Sequence, residues 1–146
     1  MPTSRNESKS ERGQSMVEFA FGFVVLLLLL SGAVDGGRAL FTYMALRDSA
    51  QEGALYGSTN PTATNEIITR VKQSSDILQN LAAQDPAHLK VDVLVSGDGC
   101  TGDAITVKVN YSNFQITMPL LGGFVGSQNI GISTSVTDTI LSPACK

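Results

Sequence analysis

The hydrophobic pattern of the chain changes character along its length. Residues 1–13 (MPTSRNESKSERG) are polar and offer nothing to bury, which reads as a disordered leader. From Phe19 to Val34 no residue is charged, and Val24 to Leu30 is an unbroken apolar run. As a helix, those 16 residues span about 24 Å; counted from Gln14 there are 21 residues with one charge, Glu18, which is enough to cross a bilayer. An apolar run with no polar face suits lipid better than a small core. Asp35 and Arg38, three residues apart, can pair across one turn and mark the outer edge of the span. Beyond them Ala45, Ser49, Gly53 and Gly57 recur every four residues, and Gly32 and Gly36 form a further pair of small residues at the same interval. Such stripes let another backbone approach closely, so helix packing is expected of all six. One helix from Gln14 to Gly57 would be roughly 66 Å long, with Gly36-Gly37 a candidate bend.

The remainder, residues 58–146, alternates between two periods. Ser58 to Pro61 reads as a turn, with Asn60 a candidate N-cap and Pro61 at the first helical position. Ile67, Val71, Leu78 and Leu81 then follow helical spacing, with Ser74 on the same face. They predict one amphipathic helix over about 62–84, ended by Asp85-Pro86. Period two follows. Leu89, Val91, Val93 and Val95 form one run; Ile105, Val107, Val109 and Tyr111 form another, after the turn SGDGCTGD. These two predict an antiparallel pair. A third strand is predicted from Ile130 to Ile140, with Ile132 and Val136 inward and an irregular crossover over Phe114 to Gly126 before it. The expected fold is therefore α+β: a long N-terminal transmembrane helix, a second helix, and a small antiparallel sheet of about three strands. One apolar sheet face needs a cover, which either helix can supply.

Composition narrows the function. With 146 residues there is room for one domain, not two. Charged residues make up only 16%, and the net charge of −3 argues against a broad basic surface for nucleic acid. The single His88 has no second histidine to share a metal, and two cysteines cannot build a zinc site without other ligand types. No nucleophile elbow, phosphate-binding loop or His-Glu-x-x-His occurs. Asp98 and Asp103 flank a glycine turn, but a solvated turn explains them better than a cation site. No catalytic, cofactor-binding or metal-binding residues are assigned.

Three readings of the N-terminal segment compete. It is a signal peptide cut after Ser31-Gly32-Ala33, an ordinary single-pass anchor, or a helix processed on its cytoplasmic side and kept on the protein. Glu18 separates them. A carboxylate inside an apolar helix is costly unless paired, neutralised or near an interface, and neither a signal peptide nor a plain anchor has a use for it. Cutting between Gly13 and Gln14 would give Gln14 a free amine one turn from Glu18 on the same face, and a neighbouring subunit's amine could serve equally. The positive leader would stay cytoplasmic, with everything after Asp35 outside.

At these residues the chain resembles a known family. Arg12-Gly13-Gln14-Ser15-Met16-Val17-Glu18-Phe19-Ala20 looks like the start of TadE-like minor pseudopilins of the tight-adherence (Flp-type) branch of type IV pilus systems. The resemblance continues through Val34-Asp35-Gly36-Gly37-Arg38-Ala39-Leu40 and Met44-Ala45-Leu46 to Glu52-Gly53-Ala54-Leu55-Tyr56-Gly57, covering residues 12–57. Gln51 and Leu55 stand where the family often has Arg, and Val24 or Val25 where it often has Pro. The resemblance implies a pilin-like head over 58–146 on a helix over 14–57, spanning the membrane at about 16–34. It implies removal of leader 1–13 by a prepilin peptidase at Gly13-Gln14, and a role for Glu18 in assembly. The implied partners are that peptidase, membrane lipid, and other pilin or pseudopilin subunits with their assembly platform. The implied place is the inner (cytoplasmic) membrane, head outside, with incorporation into a pilus for surface attachment. A secreted or anchored binding domain is the alternative. With the head outside, a disulfide between Cys100 and Cys145 is permitted.

Overall fold

In the computed structural model, residues 10–118, 126–142 and 145 are described. The proposed leader therefore lies mostly outside the described residues, as does most of the crossover segment holding Pro119 and Gly122-Gly123. Helix α1 runs unbroken over Ser10–Thr59, about 75 Å at 1.5 Å per residue. No proline falls between Pro2 and Pro61, and in a bilayer a helix is the one way a single segment satisfies its own backbone. Gly36-Gly37 is not a break. The helix continues through it, and the bonds of Asp35, described below, hold that turn from the side.

Two shorter helices follow, α2 over Thr64–Gln73 and α3 over Asp76–Gln84. The sequence predicts one helix here; the chain breaks it at Ser74-Ser75. Ser75 is extended (φ −148°, ψ 154°) and its hydroxyl accepts from the Leu78 backbone N–H, capping α3. The Ser74 hydroxyl turns back to the Val71 carbonyl. Asn60 does not cap α2, which starts after Ala63. Its backbone and side-chain N–H groups instead donate to the Tyr56 carbonyl, closing the end of α1.

The sheet comprises β1 (Leu89–Val95), β2 (Ala104–Gln115) and β3 (Asn129–Thr139), antiparallel in the order β1-β2-β3. Val93 pairs with Val107 and Val107 with Val136, so the period-two positions share one face. Strand β2 outruns its predicted end at Tyr111. A register shift between Tyr111 and Phe114 inserts an extra residue, and this returns Phe114 to the buried face. The inner face meets the upper half of α1, with α2 beside it: Leu46, Ala50 and Ala54 of α1, Ile67 and Val71 of α2, and Ile105, Val107 and Val109 of β2 are all essentially inaccessible. Each leucine, isoleucine or valine among them contributes about 1.5–3 kcal/mol on burial. The outer face carries Lys90, Asp92, Lys108, Ser133 and Ser135 and meets water.

Candidate functional site

The long helix divides at Asp35. Below it the apolar side chains touch almost nothing: Phe19, Phe21, Leu26 and Leu29 are each at least 60% exposed. This is one helix of the length and composition needed to cross a membrane. At its lower end the Gln14 side-chain amide donates to Glu18 Oε1 at 3.2 Å, four residues along, with both groups exposed. A Cβ on Gly13 would meet no heavy atom within 4 Å. Glu18 is thus an exposed carboxylate at the lower edge of the apolar surface, one helical turn from Gln14.

Above Asp35 one side of the helix is covered by the head. Gly53 and Gly57 lie where side chains leave no room. A Cβ on Gly53 would overlap Val71 and sit 3.4 Å from Val107; on Gly57 it would overlap Ile105 and sit 3.2 Å from Ile67. Ser49 accepts from the Ser74 hydroxyl at 2.5 Å and donates to the Ala45 carbonyl, and Ala45 packs at the core margin. The four-residue stripe is therefore filled by this chain's own α2 and β2. Gly32 meets Met118 Sδ at 3.4 Å from its Cβ position, whereas Gly36 meets nothing within 4 Å. Nearby, Arg70 of α2 reaches Glu52 at 3.1 Å and lies over the Tyr56 ring at 4.4 Å. Being exposed, that ion pair adds about 0–1 kcal/mol.

Asp35 is the junction. Its side chain is 7% exposed. The Thr117 hydroxyl donates to Oδ1 at 2.5 Å, the Met118 N–H donates to Oδ2 at 2.6 Å, and Arg38 reaches Oδ1 at 3.2 Å. These bonds tie the stretch after β2 to the helix at the outer edge of its apolar half. Arg38 also lies over the Phe114 ring, 5.4 Å from the centroid. The Thr117 hydroxyl holds the Asp35 carboxyl below its ordinary value; burial opposes this, and the Met118 N–H and Arg38 reinforce it. A depressed folded value means the carboxylate stabilises the fold above its unfolded value and loses that contribution as pH falls through the folded one. Asp35→Asn should therefore melt below wild type at neutral pH, and the gap should close in acid beneath the ordinary carboxylate range. A gap that persists there would sink the assignment; thermal melts of the full chain in detergent, followed by circular dichroism, measure it.

Sequence reasoning paired Asp35 with Arg38 but missed Thr117 and Met118, more than 80 residues away. It also missed the hub at Asp85, whose carboxylate lies 2.5 Å from His88 Nδ1 and accepts from the Asn113 amide at 2.7 Å and the Tyr111 hydroxyl at 3.3 Å. The contacts with His88 and then Asn113 hold Asp85 low, while burial and then the Asp85 charge push Tyr111 up. This hub ties the α3–β1 turn to β2. At the far end of the head, Asp103 accepts from the Cys100 N–H at 3.0 Å, a bond within the glycine turn. Cys100 and Cys145 are joined by a disulfide, their Cα atoms 5.3 Å apart. Among the described residues, no group of three or more His, Cys, Asp or Glu could hold a metal ion.

The segment with this geometry, a bare apolar helix with one low carboxylate and a docked upper half, is also the segment that matches a known family. Residues 13–55 match the family model of the TadE-like proteins. The match starts at Gly13 and lies wholly inside α1. It agrees with the resemblance read from residues 12–57, and is consistent with a TadE-like protein of the tight-adherence pilus system, a structural, pilus-related family. No curated protein and no solved structure matches the chain. The TadE-like segment thus accounts for the helix, while the sheet and the two short helices are described by their own geometry alone.

Proposed function

We propose that the protein is a minor pseudopilin, a non-enzymatic subunit that helps initiate or assemble a tight-adherence pilus for surface attachment. The observation that carries this reading is Glu18, an exposed carboxylate five residues from Gly13 within the TadE-like helix. In the proposed sequence of events, a prepilin peptidase removes residues 1–13 at Gly13-Gln14. The processed helix holds the subunit in the inner membrane at about 16–34, with the head (58–146) outside. Glu18 then meets the terminal amine of a neighbouring pilin or pseudopilin, setting register as subunits stack on the assembly platform. The pair serves register more than net stability, because desolvation offsets much of its Coulomb energy. The disulfide supports an oxidising compartment for the head. The helix running unbroken through Ser31-Gly32-Ala33, with Met118 docked on Gly32, disfavours release at that site.

Two measurements test this. The mature protein from its native host should begin at Gln14 by intact mass and terminal sequencing; a start at Val34 would overturn the reading in favour of a secreted domain. Glu18→Ala should insert normally yet lower piliation about tenfold or more, the scale of one lost buried charge contact of at least ~1.4 kcal/mol. Normal piliation by that variant would remove Glu18 from the mechanism.

A further inference from the structure

Between the helix and the sheet, at the outer end of the apolar half of α1, there is an open groove of about 190 Å³. Its floor is Gly32, Gly36 and Ala39, and its wall is Phe114, Ile116 and Met118. The groove follows the helix over the eight residues from Gly32 to Ala39, a rise of about 10 Å. Its one charged lining group, Asp35, already accepts from Thr117, Met118 and Arg38, so a polar occupant has little left to bond. Gly36 lies open, with no heavy atom within 4 Å of its Cβ position.

The groove continues a track that leads into the span. Phe21, Val25, Leu28 and Gly32 succeed one another at steps of three and four residues, one ridge of the helix. Phe21 and Val25 are left at 72% and 39% exposure by the rest of the chain. If this ridge sits in hydrocarbon, the groove lies at the boundary between acyl chains and headgroups. An apolar channel at that depth, open to the bilayer and holding no unpaired polar group, is filled most favourably by methylenes. Arg38 lies over the Phe114 ring beside the groove, about half exposed and paired with Asp35.

We propose that this groove is a lipid site, taking the headgroup-proximal methylenes of one phospholipid acyl chain between α1 and the end of β2. The lipid would complete the junction that Asp35 begins, seating the head at a fixed height on the membrane. This rests on the membrane-anchor reading given above, and the test separates the two. The full chain is reconstituted in phosphatidylcholine vesicles carrying a photoactivatable diazirine, on the proximal carbons of one acyl chain in one sample and at the chain terminus in another. Adducts are mapped by mass spectrometry.

The terminal probe should label side chains between Phe19 and Leu30; absence of those adducts would mean the anchor reading itself has failed. The proximal probe should label Phe114, Ile116 or Met118. Labelling of the span with none at those three would overturn the lipid site. Gly36→Leu puts a side chain into open groove while favouring the helix. It should cut the proximal adducts about tenfold relative to span adducts, as expected for about two methylenes displaced from apolar contact. Undiminished labelling in that variant would likewise overturn the site. Circular dichroism of the variant checks that the fold is retained.

Discussion

Gly53→Leu should lower the stability of the head by about 1–2 kcal/mol, the upper part of the overpacking range less the gain in helix propensity. The position is helical, so leucine alone would gain about 1 kcal/mol in propensity. Packing decides against it. Even a Cβ there overlaps Val71, with Val107 at 3.4 Å and Ile67 at 3.5 Å. Val71 and Ile67 are fully buried on α2 and Val107 is fully buried on β2, so neither side can give without moving an element. Overpacking of this kind costs about 1–3 kcal/mol, occasionally more. Guanidinium unfolding of the full chain in detergent, followed by the circular dichroism of the sheet, measures the loss. Gly36→Ala is the control, because its Cβ meets nothing within 4 Å. That variant should be neutral or stabilised by up to about 1 kcal/mol. If the two glycines respond alike, the stripe does not seat the head on the helix.

The contrast between those glycines shows what a sequence can say. A four-residue stripe of small side chains announces that something comes close. It does not say whether the neighbour is another molecule or the same chain. Here Val71, Ile67 and Ile105 take the space on Gly53 and Gly57, while Gly36 is left bare. The long helix was legible because absence of charge and of proline over many residues has few other meanings. Strands β1 and β3 were legible because their alternation is regular. Where alternation stopped, reading stopped: the bulge after Tyr111 shifts the buried positions from odd to even, so Phe114 looked like the start of a crossover. The Ser74-Ser75 break was present locally as Ser-Ser-Asp, a capping signature overridden by the apolar spacing that runs through it. The partners of Asp35 had no local signal at all. Thr117 and Met118 are placed by the register of β2 on β1 and β3, and no periodicity around Asp35 encodes that.

Removing the bridge between Cys100 and Cys145 should destabilise the head by about 4 kcal/mol, the chain-entropy figure for a loop of this size. The structure says where the loss begins. Cys100 lies in the turn between β1 and β2, and Cys145 follows the strand that ends the sheet. Between them the C-terminal segment is pinned from two sides. The Leu141 N–H donates to the Ser58 carbonyl at the top of α1, and the Gly102 N–H donates to the Ile140 carbonyl from the turn. Ile140 is fully buried beneath that crossing. Without the bridge these bonds must hold a chain end by themselves. Hydrogen exchange at Leu141 and Ser142 should therefore rise first in the Cys100→Ser, Cys145→Ser double variant, ahead of β2. The Asp35 junction lies at the opposite end of the head, joined through β2, and Met118 should keep its protection relative to the unfolding of the sheet. A stability change under about 1 kcal/mol would show that the bridge constrains nothing the packing does not already fix, and equal loss of protection at Leu141 and Met118 would show that its effect does not begin at the C-terminal crossing.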